Sequence, residues 1–85
     1  MKKLIEETNE DAMESLMGEV ITIFSLNYIY TGKLIGVNDT CCLLESPKIV
    51  YETGAFNETD WKDAQALPHD LFVNYACIES FGIVK

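Results

Sequence analysis

The chain contains no arginine, a single histidine and a single tryptophan, and its three cysteines show no Cys-x-x-Cys spacing. Without arginine it lacks the side chain best suited to gripping phosphate through two parallel hydrogen bonds. His69, which follows Pro68 in a polar stretch, would need Cys41, Cys42 or Cys77 as a partner to make a Cys–His pair. Neither a nucleophile elbow nor a glycine-rich phosphate loop accompanies it, so an enzyme is not expected and no catalytic residue is assigned. The His and Cys spacings match no usual zinc pattern, so no metal and no cofactor are expected either. Adjacent Cys41 and Cys42 point to opposite faces of an extended chain and cannot easily bridge. They read as small apolar groups in a reducing compartment. Apolar runs all fall short of the ~18 residues that a membrane span requires. The start MKKLIEETNE has no apolar stretch of the signal-peptide kind. The expectation is a cytoplasmic protein with no membrane partner.

What is present is acid. Fourteen Asp and Glu against six lysines leave a net charge of −8 over 85 residues. Glu6, Glu7, Glu10, Asp11, Glu14 and Glu19 crowd the beginning of the chain. Such a balance keeps a protein soluble and repels polyanions. Apolar residues still make up 48% of the chain, which points to a globular domain rather than disorder. One domain of this size buries only about 60% of its unfolded surface, so a partner subunit would help stabilise it.

Hydrophobic periodicity divides the chain. Ala12, Met13, Leu16 and Met17 recur at helical spacing, with Thr8 or Asn9 as a cap and acids in the first turn. This predicts a helix over about 8–17, stopped by Gly18 in a left-handed conformation. From Val20 the period changes to two, with Val20, Thr22, Phe24 and Leu26 on one face and Ile21 and Ile23 on the other. IYTGKLIGV and TCCLLE follow as second and third strands, joined by the turn Asn38-Asp39-Thr40, in an antiparallel meander. Pro47 interrupts the third strand or marks an edge, and KIVYETG continues in extended form. Residues 53–69 read as an inserted loop that packs Phe56, Trp61 and Leu67 onto the domain, with one helical turn capped near Asn57 or Thr59. DLFVNYACIESFGIV closes the chain as one or two strands around Asn74-Tyr75. Strands are thus expected within 19–52 and 70–84 of a single domain spanning 1–85.

Gly32 and Gly36 stand on the face of the second strand shared with Tyr30 and Leu34. Two missing side chains in register let a strand curl sharply or another backbone approach.

These residues carry a resemblance. Gly18, then Tyr30, Gly32 and Leu34, match the scaffold positions of the first motif of the Sm-like family. Where the motif has Asp and Asn, this chain has Asn38 (with Asp39 next) and Cys42. Thr40 stands where a base-stacking side chain is usual. The Arg-Gly turn of the second motif falls on Asn74-Tyr75, with Ile78 and Phe81 in its apolar positions. The likeness covers residues 8–52 and 70–84. It implies a mostly β fold: a small, bent, five-stranded antiparallel barrel with an N-terminal α-helix. The family assembles into rings by pairing the fourth strand of one subunit with the fifth of the next. Here that implies a homo-oligomeric ring of about five to seven subunits.

The function implied is non-catalytic binding of single-stranded RNA in RNA processing or regulation, through Asn38, Asp39, Thr40, Cys42, Asn74 and Tyr75. Asn38 and Asn74 would hydrogen-bond base edges, and Tyr75 would supply the stacking face that Thr40 lacks. A turn formed by Asn38 and Asp39 for its own sake is the plainer reading of those two residues. The charge balance supports an alternative: an acidic small-barrel protein–protein module or structural ring that binds no nucleic acid. An OB-type barrel fits less well, because the clearer helix precedes all the strands.

Overall fold

A computed structural model describes residues 12–85. It is mostly β, with six strands in one antiparallel sheet: β1 (Val20–Ser25), β2 (Ile29–Val37), β3 (Cys41–Glu52), β4 (Asp63–Ala66), β5 (Leu71–Asn74) and β6 (Ile78–Gly82). The first three strands are the expected meander. The sheet order is β4-β3-β2-β1-β6, and β5 also pairs with β3.

The expected helix is corrected. Its residues 8–11 lie outside the described residues, and the rest contains only a 3-10 turn at Glu14–Leu16. The Leu16 and Met17 amides reach back three residues, to the carbonyls of Met13 and Glu14. Met17 then turns to ψ 130° and Gly18 to φ 88°, so the Glu19 amide closes a tight turn on the Leu16 carbonyl at 3.0 Å and the helix does not continue. Gly18 does take the left-handed conformation expected of it. The apolar spacing survives: Met13 is buried in the core, and Leu16 packs against it.

Twelve-residue β3 is shared by three neighbours. Its first half pairs Cys41–Leu44 with β5, and its second half pairs Lys48–Glu52 with β4. Between the halves, Ser46 adopts φ 51° and Pro47 is buried. The ladder to β2 shifts there, from Thr31↔Lys48 to Lys33↔Glu45, so β3 carries one extra residue at Ser46-Pro47. Pro47, which has no N–H to offer a ladder, sits in this bulge. A second shift between Leu34 and Gly36 puts the extra residue on β2.

Gly32 lies opposite the Ser46-Pro47 bulge. A Cβ there would stand 3.1 Å from Leu44 Cβ and 3.2 Å from both the Glu45 carbonyl oxygen and Pro47 Cα. Close approach of a second backbone is therefore why this strand has glycine. Gly36 differs, since a Cβ would meet Leu43 Cβ at an ordinary 3.6 Å.

The bent sheet wraps one core. Ile21 and Ile23 of β1, Leu34 of β2, Cys42 and Leu44 of β3 and Val73 of β5 are packed together, with Ile78 of β6 against them. β1 and β5 share this core without sharing a ladder, so the sheet folds back on itself. The hydrogen-bonded path does not close into a barrel, because β5 and β6 part at a second 3-10 turn, Tyr75–Cys77, to pair with β3 and β1 respectively. The 53–69 loop is also corrected: it holds strand β4, and no helical turn forms near Asn57 or Thr59. β4 exists because β3 runs past the bend to Glu52 and presents an edge for pairing.

Gly32→Ala is expected to destabilise the fold by about 1–3 kcal/mol, the usual cost of overpacking. That outweighs the roughly 0.4–1 kcal/mol gained by stiffening the unfolded chain. Gly36→Ala should fall well below it in urea denaturation, and equal midpoints for the two variants would disprove the close-approach account.

Candidate functional site

The expected binding residues come from two turns that are far apart in sequence. Cys41 pairs with Asn74, and the Tyr75 amide donates to the Thr40 carbonyl at 2.9 Å. Asn38, Asp39, Thr40, Asn74 and Tyr75 therefore form one continuous patch at the tip of the β2–β3 hairpin. Asn38, Asp39, Thr40 and Asn74 are exposed, while Tyr75 is half-buried.

Within the patch, Asn38 has a structural task. Its Oδ1 accepts from the Thr40 amide at 2.8 Å, the Cys41 amide at 2.9 Å and the Thr40 hydroxyl at 3.2 Å. The carboxamide oxygen thus holds the turn, as the plainer reading of Asn38 supposed. Cys42 is 1% exposed and lies in the core against Val73, so its side chain has no outward surface. The outward chemistry of the patch rests on Asn74, Tyr75, Asp39 and Thr40. Burial raises the Tyr75 phenol pKa, and the neighbouring Cys42 and Cys41 thiols and Asp39 add to this, while the Asn38 backbone opposes it. Burial also raises that of Tyr30, helped by Cys77 and Tyr28. Both phenols stay neutral and available as hydrogen-bond donors at ordinary pH.

A second feature was not singled out in the sequence. A groove of about 800 Å³ runs between β2–β3 and the segment before β4, lined by Lys33, Lys48, Lys62, Lys85 and Trp61. Those are all four lysines of the described residues. Lys33 and Lys48, the lysines nearest in sequence to the Asn38 turn, belong to this groove; Lys33 lies roughly 13 Å back along β2 from Val37, at about 3.3 Å per residue. The only sequence signal for the groove was the lone tryptophan, Trp61, next to Lys62.

One wall of the groove is organised by Lys85. Its ammonium donates to the carbonyls of Thr53 (2.6 Å), Ala55 (2.9 Å) and Asp60 (2.9 Å), which uses all three of its donors. It also sits 4.7 Å from the Trp61 ring centre and 5.7 Å from that of Phe56, and the two rings meet edge to face at 90°. An irregular loop with few ladder bonds is thereby gathered around one cation.

No protein-family model, curated protein or solved structure matches the chain. Among the described residues there is no cluster of His, Cys, Asp and Glu able to hold a metal ion. No described helix is long and apolar enough to cross a membrane.

Two outcomes follow from these contacts. Lys85→Met keeps the apolar stem but removes the charge and its three bonds. It is expected to cost about 1–3 kcal/mol and to shift Trp61 emission, as charge-assisted bonds of this kind contribute. Unchanged thermal stability and fluorescence would refute the clamp. Burial pushes the Cys42 thiol from an ordinary value near 9 up to about 11, and the adjacent Cys41 thiol adds to the rise. A folded value above the unfolded one stabilises the protein fully below about pH 9, and that contribution is lost as pH climbs towards 11. Urea midpoints should therefore fall across that window, and less steeply in Cys42→Ala. At pH 8, iodoacetamide should label half-buried Cys41 and Cys77 before Cys42; early labelling of Cys42 would contradict its burial.

Proposed function

We propose that this protein is a non-catalytic, Sm-like protein built on a bent, open antiparallel sheet, which self-assembles through its sheet edges and binds single-stranded RNA. The observation that carries the reading is the hydrogen bond from the Tyr75 amide to the Thr40 carbonyl, which joins the two turns that correspond to the Sm motifs. In this reading Asn74 hydrogen-bonds a base edge and the half-buried Tyr75 ring offers a stacking face, with Asp39 and Thr40 beside them. Asn38 holds the turn that presents them.

The edges support assembly. Among the described residues β5 pairs only with β3 and β6 only with β1, so each has one side without a ladder there, and each carries an exposed aromatic: Phe72 at 67% and Phe81 at 36%. Pairing β5 of one copy with β6 of the next would satisfy both edges and cover both rings. Repetition would close a homo-oligomeric ring, its order left open by the residues.

A second reading is an acidic protein–protein module, and a specific observation favours it: the Asn38 oxygen is occupied by its own turn and Asp39 puts a negative charge in the patch. Native mass spectrometry of the reduced protein, alone and with a short uridine oligonucleotide, separates the two. A discrete ring mass that gains an oligonucleotide, and gains less in Asn74→Ala, is the expected result. A ring that gains none favours the protein-binding module, and a monomer removes the assembly argument.

A further inference from the structure

The charge of this protein is strongly segregated. Four lysines against three acids (Glu45, Asp60 and Asp63) leave the groove beside Trp61 at +1. The remaining described residues carry seven acids and no lysine. A chain of net charge −8 has thus gathered its described cations around one concavity whose size suits a small ligand. Lys33 comes from β2, Lys48 from the second half of β3 and Lys62 from the segment before β4, and all three are exposed. They meet here only because β3 bends at Ser46-Pro47, and Ser46, held at φ 51°, is itself part of the lining. Backbone strain of this kind persists where the surrounding structure imposes it, and it clusters at binding sites.

From this we infer that the groove between β2–β3 and residues 59–64 is a phosphate-binding site, in which Lys33, Lys48 and Lys62 contact a phosphate group while the Lys85 clamp holds Trp61 as its wall. Lysine serves phosphate as a mobile point charge and needs no bidentate geometry, so the absence of arginine is no obstacle. A tetrahedral anion has enough oxygens to accept from several ammonium groups at once, together with the Ser46 or Thr59 hydroxyl of the lining. A carboxylate has only two, and so has a single backbone phosphodiester, which would reach several ammonium groups by presenting successive phosphates along the strand. The negative remainder of the surface directs anions away from every other part of the described chain and leaves this groove as the favoured place of contact. The phosphate group belongs either to a small phosphorylated compound or to a nucleic-acid backbone. This site is separate from the Asn74–Tyr75 patch and does not depend on it.

The test uses the single tryptophan as reporter. Trp61 emission of the full chain is titrated at low salt with pyrophosphate and, separately, with a short uridine oligonucleotide. The variants are the Lys33→Gln/Lys48→Gln pair, with circular dichroism as the check on folding, and Asn74→Ala. A saturable response is expected to at least one probe, weakened about tenfold in the double-lysine variant, or about threefold per exposed charge. A response to pyrophosphate that Asn74→Ala leaves unchanged assigns the site to small phosphorylated compounds. A response to the oligonucleotide alone assigns it to phosphodiesters. If neither probe gives saturation, or if the double variant binds as tightly as the parent, the inference is overturned. Oligonucleotide binding lost in Asn74→Ala but kept in the double-lysine variant overturns the groove and leaves the RNA reading standing.

Discussion

The contact between the Gly32 backbone and the Ser46-Pro47 bulge is the constraint on which the rest depends. β3 is long enough to span the molecule, and unbent it would offer β4 and β5 one continuous edge. The bulge divides it, so Leu71–Asn74 pairs with the half that lines the core and Asp63–Ala66 with the half that runs beyond. A side chain at position 32 would press on Leu44, Glu45 and Pro47 together and oppose the crossing. The bend also folds the sheet over Ile21, Ile23 and Leu34, which are fully buried although they belong to adjacent strands of one meander. A core this small has little reserve, so the placement of each strand matters more than it would in a larger domain.

Electrostatics builds a second layer on that frame. Residues 53–62 have few regular backbone partners, yet three of their carbonyls converge on the Lys85 ammonium between two aromatic rings. An ammonium offers three donors, and here all three are matched, so one side chain fixes a loop that sequence pattern alone leaves irregular. The same arrangement sets Trp61 in the wall of the groove that the lysines of β2 and β3 also line. Fold and charge distribution are therefore coupled through the bend and the clamp.

The two candidate surfaces differ in chemistry. At the hairpin tip the side chains are neutral or acidic, suited to hydrogen bonding and stacking. The groove is cationic, suited to phosphate. A single strand of RNA presents both kinds of group, bases and phosphates, and an acidic chain that binds it would need its few cations concentrated. An acidic protein-binding module would account for the tip and the overall charge, but it gives no reason for four lysines to share a concavity.

Much of the meander was legible in the residues. Alternation in VITIFSL and the turn residues Asn38 and Asp39 are local signals with local causes, side-chain period and turn hydrogen bonding, whereas Gly32 signalled a close approach whose partner, the Ser46-Pro47 bulge, lies on another strand. Gly18 likewise declared its left-handed backbone. The helix over 8–17 was overread, because within the described residues helical spacing marked only which residues face the core, and the backbone turned away at Met17 after a single 3-10 turn. β4 was missed because Asp63–Ala66 has no strand pattern of its own and exists by pairing with the end of β3. The roles of Asn38 and Cys42 were open in the sequence. A turn oxygen and a core thiol become distinguishable from ligand contacts only when their neighbours are known. The sequence by itself determined the three-stranded meander, its turns and the acidic balance, which depend on residues close together in the chain. Only the tertiary structure decided which turns meet, where the lysines gather and what Lys85 holds, because those are distances between residues separated by tens of positions, set by one bend in β3.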